Sequence, residues 1–439
     1  MNRPNSFRAC IPLLTAVAVL CGCTPSRDLR SHVAGETQRR TGHSTRVKEI
    51  PGEALWPDGV RSGAALSQEQ AVAVALWNNA DFQSALADLG LARGEVIKAG
   101  QIPNPTLSVL FPLGPKQLEF IAKFPMEALV LRPQRVAAAN CDFDAVAEKL
   151  VQGGLQLTRD VKLACAGVAL AREKLRLARE ASGIFDKMSE VAKARHRAGD
   201  TGELETAQAH AEALLATQEV ARLAHEERLA LDRARTLTGL AMAGASFDLK
   251  TPPTPSKGLR AEGTLVREAI AARPDMRAAE IAIEAAGKRA GLAKAEILQF
   301  SLAYDANGSG SNFESGPGLD VTLPIFNQNQ GGRAIADARL AKAVRDAVAV
   351  RDRIAGEVRQ ARTRVAGARA VAEGWQRALP ELEKALDRAR GAVELGNSPQ
   401  LIGLDAARRL VEARSKAAET TARLREAWAE LEYAVGHRL

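Results

Sequence analysis

The sequence predicts a mainly α-helical fold with a small β part, built from one helix-strand-strand-helix unit written twice. Three observations lead there. Aromatic residues are scarce, 4% of the chain against 46% hydrophobic overall, and Ala and Leu dominate the apolar set. With 26% charged residues of both signs, this is the mixture found in long helices and coiled coils, not in a β-sandwich or an aromatic-rich enzyme core. It is also too apolar for disorder. Second, Asn79-Ala80-Asp81-Phe82 matches Arg273-Pro274-Asp275-Met276 through the shared Asp at an offset of 194, and Gly199, Leu204 and Gly239 match Gly396, Leu401 and Gly436 at an offset of 197. Third, short stretches of period two are set among long stretches of helical period. Length alone, 439 residues, would allow about three domains. A nearly constant offset at both ends of the unit divides it instead into two interlocked repeats. The net charge of +8 is modest and implies no nucleic-acid partner.

Residues 1–22 read as a signal peptide. Arg3 and Arg8 precede the apolar run Ile11–Leu20, which is too short to span a bilayer. The run ends in Leu20-Cys21-Gly22-Cys23, which resembles a bacterial lipobox. Cys23 is then the expected lipidation site, since two or more acyl chains give a stable anchor. Thr24 in the next position favours the outer membrane. The plainer alternative is a secretory signal cut near Cys23. Residues 23–65 form the expected lipid-anchored N-terminal segment, polar and with little periodicity from Thr24 to Ser62. Cys141 and Cys165 fall on one expected helix, about 36 Å apart, and cannot bridge each other. No zinc spacing, and no second apolar run of ~18 residues, is present.

Repeat 1 is expected over residues 66–249. A first helix, Ser67–Gly100, is stopped by Gly100 and Pro103-Asn104-Pro105. Thr106–Phe111 alternates, Pro112-Leu113-Gly114-Pro115 turns, and Gln117–Phe124 returns with Leu118, Phe120, Ala122 and Phe124 on one face. A long helix follows from Gln134 to Arg197, roughly 64 residues or ~96 Å. The break Ala198–Gly202 leads to a further helix, Leu204–Thr238. A Pro-rich linker, 250–263, joins repeat 2, 264–439. There the strands are expected at Leu298–Ala306 and Gly318–Ile325 around the loop Asn307–Asn312, and the long helix at Gly332–Leu395. These strands, roughly 6 to 9 residues, mostly fall short of a transmembrane strand. In the last helix Ala406, Leu410, Ala413, Ala417, Thr420, Leu424, Ala427, Leu431 and Ala434 follow steps of 4 and 3, a coiled-coil seam. The equivalent positions in repeat 1, Ala209 to Leu237, are apolar except for Glu227.

These motifs, in this order, resemble the outer membrane efflux protein family, the TolC-like outer membrane factors. Pro103-Asn104-Pro105 resembles the family's PNP and Arg273-Pro274-Asp275 its RPD. Leu323–Gly331 is similar to its strand-to-helix turn, especially in the CzcC-like heavy-metal branch. The resemblance covers about Leu66 to Leu439 and implies a homotrimer. Geometry agrees: four strands cannot close a barrel, and open edges are not tolerated in lipid. Three chains would form a 12-stranded β-barrel continuous with a long α-helical barrel. The implied function is a passive exit duct, not an enzyme, with no cofactor. It takes substrate, heavy-metal cations among the candidates, from an inner-membrane pump of RND type through a periplasmic adaptor protein. The resemblance places the adaptor-contact tip at Gly199 and Asp200 and at Gly396, Asn397 and Ser398. It places the pore constriction at Asp405 and Glu205, where rings of acids would select cations. The Tyr and Arg of the family's best-known latch are replaced by Val393 and Ser398. The plainer reading of Asp405 is a first-turn carboxylate favoured by the helix dipole. Two alternatives stand beside the efflux duct: the exit duct of a type I protein-secretion system, and a lipid-anchored periplasmic coiled-coil scaffold. His196, His210 and His225 are about four turns apart and do not suit shared metal ligation. His32 and His43 are weak metal candidates. Trp77, Trp375 and Trp428 read as packing residues. The Arg351–Arg364 stretch reads as a solvated face.

Overall fold

The computed structural model describes residues 28–50, 52–111, 117–244, 246–309, 312–395 and 398–439. The helices are α1 (Leu29–Thr41), α2 (Gln68–Asn78), α3 (Ala80–Gly100), α4 (Met126–Arg197), α5 (Glu203–Leu237), α6 (Glu262–Ala272), α7 (Pro274–Ala295), α8 (Gln330–Glu394) and α9 (Gln400–Val435). The strands are β1 (Thr106–Leu110), β2 (Glu119–Pro125), β3 (Gln299–Ser309) and β4 (Asn312–Thr322). The order helix, strand, strand, long helix, helix therefore occurs twice. The chain divides into two compact units. One holds Ala87–Ala147 and Arg277–Ala347, with the sheet. The other holds Val33–Leu86, Glu148–Met276 and Val348–Leu439.

Several expectations are corrected. The single first helix is two helices in each repeat. The breaks fall at Asn79 (ψ 123°) and Arg273 (ψ 131°), the positions that the 194 offset equates. At Arg273 the following Pro274 disfavours helical backbone for the residue before it. At Asn79 the side chain caps the second helix, its Oδ1 accepting from the Phe82 N–H at 2.9 Å. The N-terminal segment, expected to lack structure, carries α1. The long helices run 72 and 65 residues, and α4 starts ahead of Pro133, which it absorbs in its first turns. β3 and β4 have 11 residues each. They extend through most of the expected loop and reach the length that a tilted transmembrane strand needs. The expected Pro112–Pro115 turn lies outside the described residues.

The sheet is an antiparallel meander, β1-β2-β3-β4, and β2·β3 joins the two repeats. Register puts Leu107 opposite Ala122, Phe124 opposite Leu302, and Leu302 opposite Leu319. Cross-strand partners share a face. One face therefore carries Leu107, Val109, Phe124, Leu302, Tyr304, Phe313, Leu319 and Val321, all exposed. The other face carries the charged strand residues, beside Leu110 and Ile121.

In the helical unit, burial follows the seam. Leu410, Ala413, Thr420, Leu424, Ala427, Leu431 and Ala434 are buried. The lower part of α9 packs on α6 and α8 through Leu265, Ala269, Ile354, Val358, Leu424 and Leu431. Its upper part meets α4, α5 and α8 through Phe185, Ala192, Ala209, Leu386, Leu404 and Ala407. Ala at these contacts lets the backbones come close. The Arg351–Arg364 face is more than solvated. Arg353 pairs with Asp275, Arg359 with Glu262 and Arg364 with Glu430, while Arg362 donates to the Arg260 carbonyl. Cys141 and Cys165 are buried free thiols.

Candidate functional site at the helix-hairpin tips

The first tip is shaped by one glycine. Gly199 has φ +83°, a conformation that glycine adopts at little cost. The Asp200 N–H donates to the Arg195 carbonyl at 2.9 Å and the Gly199 N–H to the His196 carbonyl at 3.0 Å. This double closure satisfies the last carbonyls of α4. His196 Nδ1 lies 2.8 Å from the Thr201 carbonyl, which explains a histidine at the tip without a metal. After Gly202 the chain enters α5 with Glu203 and Glu205 in its first turn, where the helix dipole favours acids. Glu205 is half-buried.

The second tip follows α8. The Leu395 N–H still donates to the Gly391 carbonyl at 3.1 Å, Ser398 is half-buried, and Pro399 immediately precedes α9. Gly396, Asn397 and Cys23 lie outside the described residues. Asp405 points away from the packed seam and pairs with Arg409 one turn on, Oδ2 to Nε at 2.9 Å, both side chains exposed. The two hairpins are tied by Arg408 on α9, which grips both carboxylate oxygens of Glu212 on α5. They are also tied by Gly403, where an added Cβ would sit 3.1 Å from Met188 Cε and 3.5 Å from Val393 Cγ2.

Sequence reasoning named Asp405 but missed Arg409, Arg408 and Gly403. The Asp405–Arg409 spacing of four was legible as a helix-surface pair. Glu212 is 196 residues from Arg408, and nothing local points to it. Around the tips, Leu204, Leu395, Leu401 and Ile402 are large exposed apolar side chains. Among the described residues no group of three or more His, Cys, Asp or Glu could hold a metal ion. His43 instead contacts Glu69 at 3.1 Å. Also among the described residues, no helix is long and apolar enough to cross a membrane.

Residues 265–437 match the sequence profile of the outer membrane efflux protein family. The match lies on the second repeat. The chain is 26% identical over 388 residues to the cobalt-zinc-cadmium resistance protein CzcC of Cupriavidus metallidurans, spanning 86% of this chain and 89% of the relative. The crystal structure of CusC has the same fold, with a TM-score of 0.72 and 20% identity over 89% of this chain and 98% of that one. So does the outer membrane protein VceC of Vibrio cholerae, at 0.71 and 19%, over 84% and 96%. That match fits a molecule whose sheet has one largely apolar face with many exposed side chains.

Proposed function

We propose that the chain is the outer-membrane exit duct of a tripartite efflux system. It would act as a homotrimer and pass substrate outward from an inner-membrane pump and a periplasmic adaptor. The observation that carries this reading is the four-stranded sheet. One face is largely apolar with many exposed side chains, the other carries all the charged strand residues, and β1 and β4 are open edges. A sheet with unpaired edges is not viable in lipid. Three copies would close twelve strands, within the range of outer-membrane barrels. The same three copies would cover the bare faces of α5 and α8 in a ring of helices. The exposed Leu204, Leu395, Leu401 and Ile402 suit an adaptor seated at the tips, around Gly199, Asp200, Gly396, Asn397 and Ser398, because clustered exposed apolar side chains mark contact surfaces. Asp405 and Glu205 are the proposed constriction, and Cys23 the proposed lipid anchor at the outer membrane.

The proposed substrate class is taken from the named relative. A cobalt-zinc-cadmium resistance protein of similar length supports divalent metal cations as cargo. The pump supplies the energy, so the duct needs no catalytic site or cofactor. The test is the mass of the full-length protein purified in detergent, with metal tolerance of a deletion strain. A trimer, and a strain sensitised to cobalt, zinc or cadmium, are the expected results. A monomer in detergent would overturn the duct. A trimer with unchanged metal tolerance would overturn only the cargo.

A further inference from the structure

The polar face of the sheet holds an uneven set of charges. Its acids are Glu119, Asp305, Glu314 and Asp320, and its base, alone among the described strand residues of that face, is Lys123. Lys123 is on β2 and Asp320 on β4, with β3 between them. Lys123 Nζ nevertheless reaches Asp320 Oδ2 at 2.7 Å. The crossing is possible because the β3 residue beneath it is Ala303, opposite Gly318 on β4. At the other end of the same face, Glu119 and Glu314 lie in one row on either side of Asn307, and Asp305 is in the next row. One base against four acids leaves three acids uncompensated. If the apolar face meets lipid, as in the duct proposed above, this face lines the lumen, where charged side chains tune ion selectivity.

We propose that Lys123, held by Asp320 across Ala303, is a specificity-determining residue of the β-lined part of the duct. By cancelling Asp320 it leaves Glu119, Asp305 and Glu314 to set a wall that favours cations over anions. A lumen lined by one sign of charge concentrates the opposite ion. The cargo class proposed above, a divalent cation, is the one such a wall admits. The inference rests on that duct reading, and the experiment separates the two.

The full-length protein is reconstituted in planar bilayers and the K+ to Cl− permeability ratio is read from reversal potentials. The salt is kept near 0.1 M, where the screening length is about 10 Å. Each variant is made in the natural chain and again with Asp405→Ala, so that a constriction at the tip does not mask the sheet. The wild type should favour K+. Lys123→Gln should raise the ratio roughly twofold or more, and Asp320→Asn should lower it by a similar factor. The double variant Lys123→Gln/Asp320→Asn restores the net charge and should return the ratio to the wild-type value. A merely structural role for the pair predicts instead that the double variant is as disturbed as either single one. The triple variant Glu119→Gln/Asp305→Asn/Glu314→Gln should bring the ratio close to one. Conducting channels whose ratio is unchanged by Lys123→Gln in both backgrounds overturn the inference and leave the duct standing. No conductance together with a monomeric mass in detergent overturns the duct.

Discussion

The two repeats solve one structural problem with different chemistry. Each breaks its first helix at the equivalent position, and each ends its last helix on a left-handed glycine, Gly239 (φ +74°) or Gly436 (φ +87°), lodged against that break. The residue at the break then bonds the carbonyl two positions before the glycine. In repeat 1, Asn79 Nδ2 donates to the Leu237 carbonyl at 2.9 Å. In repeat 2, Arg273 donates to the Ala434 carbonyl at 3.3 Å. There the neutral amide is replaced by a guanidinium that is 3% exposed. It is held by Asp275 at 2.7 Å and by Glu357, and lies over the Tyr433 ring. Burial alone would lower the Arg273 pKa; Asp275 and Glu357 outweigh it and raise it. The duplicated feature is the backbone geometry, and the side chains that secure it have diverged.

The largest difference should come from the glycines. A Cβ on Gly239 would overlap the carbonyl of Asn78, which is backbone and cannot yield. A Cβ on Gly436 would lie 3.0 Å from Arg273 Cγ and 3.4 Å from its Cα, a tight fit that a few tenths of an ångström relieve. Gly239→Ala should therefore cost more than about 4 kcal/mol and abolish the folded protein. Gly436→Ala should cost about 1–2 kcal/mol, the penalty of a left-handed alanine. Thermal unfolding in detergent reads both. Equal effects would mean that the two latches are not packed as differently as they look.

Next in size are the residues at the breaks. Arg273→Ala leaves Asp275 and Glu357 with only the longer contacts to the exposed Arg353 and should cost about 3 kcal/mol. Asn79→Ala removes a helix cap and one hydrogen bond and should cost about 1–2 kcal/mol. Arg273→Met, which keeps the packing volume, should recover little, because Asp275 and Glu357 still lose their short bonds and keep only Arg353. If Arg273→Met unfolds at the wild-type temperature, the ionic cluster adds nothing and the neutral latch is as good.

A smaller and pH-dependent effect belongs to the repeat 1 side. A hydrogen bond from His43 holds the Glu69 carboxyl below the usual carboxylate range, against burial and with help from Lys162 and Arg438. A carboxylate with a lowered folded-state pKa stabilises the fold above its unfolded value and loses that contribution as pH falls through the lowered one. The unfolding temperature should therefore drop on acidification below the usual carboxylate range, and Glu69→Gln should flatten that limb. An acid limb of unchanged steepness in Glu69→Gln would place the sensitivity elsewhere.

How much of this was legible depended on whether the signal was local. The duplication was readable because Asp81 and Asp275 are both second residues of a helix that follows a break, where an acid suits the dipole. Yet the shared Asp hid the break itself. Asn79 carries no helix-breaking chemistry that outweighs an apolar run on either side, so Ser67–Gly100 read as one helix. The seam from Ala406 to Ala434 was readable because period is a local property. The bond from Arg408 to Glu212 and the strap from Lys123 to Asp320 were not, since each joins residues about 196 or more positions apart. The strands of repeat 2 were read short because Gly308 and Gly316 look like loop residues. In the sheet, small residues instead keep the polar face open and make room for Lys123.

The smallest effect sharpens the comparison at the tips. Asp405–Arg409 lies along one helix with both side chains exposed, so its coupling should be at most about 0.5 kcal/mol. Arg408–Glu212 joins α9 of repeat 2 to α5 of repeat 1, engages both carboxylate oxygens, and keeps Glu212 only 20% exposed. Its coupling should reach about 1 kcal/mol. Double-mutant cycles with alanine separate the two. The order matters for function. If Asp405–Arg409 is the weaker pair, Asp405 can leave Arg409 for a passing cation without loosening the hairpins, while Arg408–Glu212 holds the two repeats in register. A coupling for Asp405–Arg409 as large as that of Arg408–Glu212 would make Asp405 a structural anchor, and the proposed constriction would lose its movable acid.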